Sequence, residues 1–141
     1  MKSEITTYYA TPSVCPFCTP DQTRVIAAND YAFAIMDGFP ISLGHALVIP
    51  KRHLASPFEA TREEREALFD LLELVKTELQ EKHNPDGFNI GINDGTAAGQ
   101  TVMHLHIHLI PRYAGDQTDP RGGVRWIFPD KAAYWNSEEI P

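Results

Sequence analysis

From Met103 to Leu109 the chain alternates without a break: His104, His106 and His108 take one parity, Leu105, Ile107 and Leu109 the other. Successive side chains of an extended strand point to opposite faces. The pattern therefore predicts a half-buried strand whose apolar face enters a core. The opposite face would carry three imidazoles in a row, about 7 Å apart at a rise of ~3.3 Å per residue. Only six histidines occur in the 141 residues, and half of them share this face. Imidazole changes charge near neutral pH, binds metals and can attack phosphorus. A polar face that happens to carry histidines would explain the alternation but not the choice of residue.

The rest of the chain supplies partners for such a strand. Arg24–Ala27 and Tyr31–Met36 read as short strands joined by an Asn29-Asp30 turn. Asp37-Gly38-Phe39-Pro40 closes that hairpin with turn residues. Gly44-His45-Ala46-Leu47-Val48-Ile49-Pro50 reads as a third strand with a buried apolar run, flanked by His45 and His53. Thr61-Arg62-Glu63-Glu64 is a capping box that predicts a helix from Arg62 to Lys82. Leu68, Leu71, Leu72, Val75 and Leu79 form its apolar stripe, and Asn84-Pro85-Asp86-Gly87 ends it. Phe88–Ile92 reads as a further strand before a small-residue loop that leads to the histidines. The expected fold class is α+β: an antiparallel sheet with one long helix packed on one face.

The organisation expected is an N-terminal arm over 1–14, a domain over 15–113, and an irregular segment over 114–141 packed on the domain or on a partner copy. A net charge of −7 argues against broad electrostatic binding to nucleic acid or to an anionic membrane. No run approaches the ~20 apolar residues of a membrane span, and no secretory leader is recognisable, so a cytoplasmic protein is expected. Cys15-Pro16-Phe17-Cys18 holds both cysteines. In a cytosolic chain such a pair suggests metal or redox chemistry over a structural disulfide. Alone it is half a tetrahedral site. The redox alternative wants a strand before it and a helix after it, which the neighbouring residues do not obviously offer, and two unremarkable cysteines in a turn remain the third reading.

His-apolar-His-apolar-His, preceded by Gly99-Gln100-Thr101-Val102, resembles the signature of the histidine triad (HIT) superfamily of nucleotide hydrolases and transferases. Gly44-His45-Ala46-Leu47-Val48-Ile49-Pro50-Lys51-Arg52-His53 is similar to the strand that lies beside the triad strand in that family. The resemblance implies a covalent nucleotidyl-histidine on His106, with His108 and His45 lining the α-phosphate. It places Gln100, Thr101 and Asn93 near the phosphate oxygens and Asp37 at the ribose hydroxyls. Phe33 and Ile35 become candidates for the apolar wall against the base.

In the zinc-carrying branch of the family, matching positions hold a structural zinc, here Cys15, Cys18, His53 and His104. Histidine in the third triad place resembles the hydrolases. The implied substrate is a purine nucleotide conjugate, either a dinucleoside polyphosphate or a nucleoside phosphoramidate. The family also implies a two-fold homodimer. Phe69 and Leu74 widen the helix's apolar arc, and the strand over 88–92 could supply an edge to a partner. Such a dimer would bring Arg121 to Trp126 near the partner's nucleotide site. Two other classes compete with the enzyme: a nucleotide- or partner-binding module with little catalysis, and a zinc-organised structural protein that leaves His106 and His108 idle.

Overall fold

In the computed structural model, which describes residues 15–136, five strands form one antiparallel sheet. They are β1 (Val25–Ala28), β2 (Ala32–Met36), β3 (Ala46–Pro50), β4 (Gly87–Gly91) and β5 (Ile107–Arg112), in the spatial order β1-β2-β3-β5-β4. One long helix, α1 (Arg62–His83), packs on one face. The expected α+β architecture is observed, with most elements within two residues of their predicted bounds; the exception is the histidine strand, expected from Met103, which starts only at Ile107 and so leaves His104 and His106 outside it. The arm over 1–14 falls outside the described residues.

The two faces of the sheet differ in chemistry because side chains alternate along each strand. Ala32, Ala34, Ala46, Val48, Ile107 and Leu109 join Leu68, Leu71, Leu72, Val75 and Leu79 of α1 in the main core. The other parity of β2 and β3 gives a smaller cluster on the far face, Phe33, Ile35, Leu47 and Ile49. Beside that cluster, β5 presents His108, Ile110 and Arg112. The site is therefore built on the face away from the helix.

Local sequence secures the elements. Asn29 Oδ1 accepts from the N–H groups of Tyr31 and Ala32, while its Nδ2 donates to Ala67 O, tying the β1–β2 hairpin to α1. Thr61 Oγ1 accepts from Glu64 N–H, and Glu64 Oε1 accepts from Thr61 N–H, completing the capping box. Asn84 ends the helix in the left-handed region at φ 49°. Gly44 has φ +90°, and a Cβ there would meet His83, Leu79 and Pro111 at 3.0–3.2 Å, so only glycine carries the chain into His45 this close to α1.

After β5 the chain turns at Asp116, which takes two hydrogen bonds from Arg112. A 3-10 turn (Gly123–Ile127) rests against β4, and the short helix α2 (Pro129–Ala132) and a last 3-10 turn (Tyr134–Asn136) follow. The arginines expected to reach a partner's nucleotide site are used here in folding this segment. Arg121 pairs with Asp119 and stacks on Trp135, and Arg125 donates to the carbonyls of Lys131 and Ala132 and stacks on Tyr134. No helix of the described residues is long and apolar enough to cross a membrane.

The buried Glu64 also receives a bidentate grip from Arg52, at 2.8 and 2.9 Å. That guanidinium, with the Thr61 N–H, holds the Glu64 carboxyl down at about 2 from an ordinary 4.5. A depressed carboxylate stabilises the fold fully above its unfolded value and loses that contribution as pH falls through its folded value. Glu64→Gln should therefore lower Tm at pH 7, and its deficit relative to the parent should shrink between pH 4.5 and 2. A deficit that stays constant over that range in thermal melts would contradict the ion pair's role.

Candidate functional site

The row of histidines divides into two clusters because β5 begins only at Ile107. His104 lies before the strand, fully buried, and turns to the N-terminal loop. Its Nε2 donates to Pro50 O at 2.7 Å, since a carbonyl can only accept. Its Nδ1 therefore carries the lone pair, 3.4 Å from Cys15 Sγ and 3.5 Å from Cys18 Sγ. Cys18 Sγ also lies 3.1 Å from His53 Nδ1. All four donor atoms fall within 4.8 Å of one another. Donors of a tetrahedral thiolate–imidazole ion are separated by about 3.3–3.8 Å, given bonds of ~2.0–2.3 Å. Burial and the neighbouring Cys15 push the Cys18 thiol up to about 11, so thiolates here need a cation's charge. Two thiols and two imidazoles in this arrangement fit a closed structural metal site.

His106 and His108 belong to the second cluster, their ring centroids 5.2 Å apart. His106 Nδ1 donates to His104 O at 2.8 Å, which fixes its proton there and leaves the lone pair on Nε2. His45 Nδ1 accepts from Ile41 N–H at 3.2 Å, so its proton sits on Nε2. That Nε2–H faces His108 Nδ1 at 3.0 Å and Asp37 Oδ2 at 3.3 Å. Burial lowers the pKa of each of these imidazoles, and His108, beside His106 and His45, is held down at about 4. The row is neutral at pH 7, with an unprotonated nitrogen on His106 as the available nucleophile.

The second cluster borders a cleft of about 1790 Å³ between the sheet and the C-terminal segment, and the cysteine loop of the first reaches it through Pro16 and Phe17. Of the residues singled out in the sequence, Asp37, Asn93, Thr101, His45, His106 and His108 all line it. Gln100 does not. It is buried, its Oε1 accepting from Gly95 N–H and its Nε2 donating to the carbonyls of Ala55 and Val102, so it braces the loop before the histidines. Phe33 and Ile35 do not line the cleft either: they share the site's face of the sheet but are buried there among Leu47, Ile49 and Phe17. The apolar surface that faces the cleft includes Phe17, Leu47, Ile41 and Leu43.

Phe17 is the residue the sequence reading missed. It stands edge-on to His106 at 5.1 Å and to His104 at 6.0 Å, so it joins the two clusters. Its place inside Cys15-Pro16-Phe17-Cys18 was the available signal, since whatever fixes those thiols also fixes the ring between them.

Comparisons with known proteins agree with this geometry. A family model described as the HIT domain matches residues 19–115. A HIT-like protein of Mycoplasma pneumoniae is 37% identical over 103 residues, covering 70% of this chain and 72% of that one. A bis(5′-adenosyl)-triphosphatase of Dictyostelium discoideum is 37% identical over 91 residues, covering 64% of this chain and 61% of the relative. Among solved structures, a zinc-bound histidine triad family protein from Mycobacterium smegmatis superposes with a TM-score of 0.68 at 33% identity, covering 77% of this chain and 82% of that one.

Gln100→Ala should separate bracing from ligand contact. Leaving the Gly95 donor and two carbonyls unpaired should destabilise the fold by about 1–3 kcal/mol per buried group left without a partner. A variant that melts with the parent while losing activity would restore Gln100 as a direct contact.

Proposed function

We propose that this chain, which belongs to the HIT domain family, is a nucleotidyl hydrolase acting at the α-phosphate of a purine nucleotide conjugate. The conjugate is a dinucleoside polyphosphate or a nucleoside phosphoramidate. The observation that carries this reading is the His106 Nδ1–H bond to the His104 carbonyl, which leaves Nε2 as an unprotonated nucleophile in the cleft. Nε2 bonds to the α-phosphorus as the bond to the leaving group breaks, and the leaving group departs with that electron pair and takes up a proton. Water then attacks the same phosphorus, the phosphorus–nitrogen bond breaks, and His106 is regenerated. His108 and His45 line the α-phosphate, with His108 donating to its oxygens. Thr101 and Asn93 border the same oxygens, and Asp37 receives the ribose hydroxyls. The bis(5′-adenosyl)-triphosphatase relative supports the dinucleoside branch of this reading.

Residues 15–113 form the catalytic unit in this reading, and 114–136 supply the opposite wall of the cleft. Cys15, Cys18, His53 and His104 would hold zinc. A closed site of that kind contributes folding energy and tethers the loop bearing Phe17. The zinc-bound relative and the convergent donors support that assignment. Exposed Phe69 and Leu74 on α1 and the edge position of β4 support a two-fold dimer. Light scattering at micromolar concentration reads that state directly.

His106→Ala should fold with the parent's Tm and lose turnover by several orders of magnitude, as expected when a covalent route is removed. Near-parental turnover on diadenosine polyphosphates and adenosine phosphoramidates would overturn the reading. The depressed imidazoles place the acid limb of kcat/KM below pH 6.5 in the same assay. Protein purified without chelator should carry one zinc per chain. Cys15→Ser should lower Tm more than activity per folded molecule. Metal-free protein with freely titratable native thiols would end the zinc assignment.

A further inference from the structure

The geometry points to a coupling between nucleoside recognition and phosphoryl chemistry: we propose that ribose hydroxyls at Asp37 set the tautomer of His108 through His45. The proposal rests on the nucleotide reading above. His45 is buried, and the Ile41 N–H holds its Nδ1 as an acceptor, so a single proton on Nε2 serves two acceptors. One is His108 Nδ1 at 3.0 Å and the other is Asp37 Oδ2 at 3.3 Å. Asp37 cannot simply turn away, because its Oδ1 accepts from Phe39 N–H at 2.8 Å.

The same bonds argue against a metal at these three groups, although their donor atoms converge. A cation on His45 Nε2 would require that nitrogen to lose its proton while Nδ1 still accepts from Ile41.

The destination of this one proton decides what the cleft sees. When His45 donates to His108 Nδ1, the proton of His108 must sit on Nε2, where it can be given in a hydrogen bond to a phosphoryl oxygen. When His45 donates to Asp37 instead, His108 Nδ1 is released and its two tautomers interchange, so part of the population offers no such donor. The carboxylate competes as the charged acceptor and His108 as the nearer one. Ribose hydroxyls donating to Asp37 Oδ2 satisfy the carboxylate and return the His45 proton to His108. Substrate binding then organises the histidine row with no movement of the backbone. For His108, both Asp37 and His45 are positioning residues.

The test compares adenosine 5′-phosphoramidate with its 2′,3′-dideoxy counterpart in the full-length protein. In the parent, loss of the hydroxyls should lower kcat as well as raise KM, by about 5- to 150-fold, the usual size of coupling between sites. Asp37→Asn keeps an oxygen for Phe39 N–H but removes the charged competitor. In that variant the kcat ratio of the two substrates should approach one while KM for the ribonucleotide rises. A residue with only a structural role would slow both substrates alike. A second readout needs no variant: at saturation, AMP should shift the ¹⁵N signal of His108 Nδ1 towards the acceptor form, and dideoxy-AMP should not.

A parental kcat indifferent to the hydroxyls, an unchanged kcat ratio in Asp37→Asn, or identical His108 signals with both nucleotides would overturn the coupling alone. A protein that neither binds AMP nor turns over any nucleotide conjugate would overturn the nucleotide reading and the coupling with it.

Discussion

Hydrogen bonds between single backbone groups and imidazole nitrogens underlie everything this site can do. Pro50 O fixes His104, His104 O fixes His106, and Ile41 N–H fixes His45. In each case the partner can only accept or only donate, so the tautomer follows from the chain's geometry. Three histidines with the same side chain thereby receive three different uses. One presents Nδ1 to two thiols, one presents Nε2 to the cleft, and one directs its Nε2–H at His108 and Asp37. Burial adds to this by disfavouring the imidazolium forms, which keeps the lone pairs available at neutral pH.

Those backbone groups are where they are because β3 and β5 are paired. Leu47 lies opposite His108, and Ala46 opposite Leu109, which brings His45 beside the last histidine across the sheet. The main core under α1 holds that register, since a slip of one residue would exchange the apolar and the imidazole parities of β5. Burial of Leu68, Leu71, Leu72, Val75 and Leu79 against Ile107 and Leu109 is thus a requirement of the site as much as of the fold. Arg52 and Glu64 extend the same support to the thiol–imidazole cluster, because Arg52 immediately precedes His53. Phe17 completes the link by placing the cysteine loop against the ring of His106.

The C-terminal segment contributes shape more than charge. Asp116, Asp119 and the carbonyls near Ala132 engage the guanidinium groups of Arg112, Arg121 and Arg125. What the segment offers the cleft includes Val124, Trp126 and Ile127, across from Phe39, Ile41 and Leu43. The mouth of the cleft is therefore bordered by apolar side chains, and its floor is a polar row that carries little net charge when the imidazoles are neutral.

Much of this was written in the sequence. Alternation at 103–109, the capping box at Thr61–Glu64 and the apolar stripe of α1 are local patterns, and local sterics and capping chemistry act within a few residues. The two-faced sheet and the long helix were legible for that reason, whereas Asp37, His45, Asn93 and Thr101 were singled out only by the family resemblance. Tertiary structure decided what depends on distance across the fold. Gln100 was drawn away from the cleft by Ala55, 45 residues earlier, because a buried amide must satisfy both its donors and its acceptor. Phe33 and Ile35 were kept out of the cleft because Phe17, 16 and 18 residues away, packs against their cluster. Periodicity tells which side of a strand a residue occupies, but only the packed chain tells what lies on that side, and the Pro50 carbonyl as acceptor and the Ile41 N–H as donor chose the tautomers that no pattern of letters can specify.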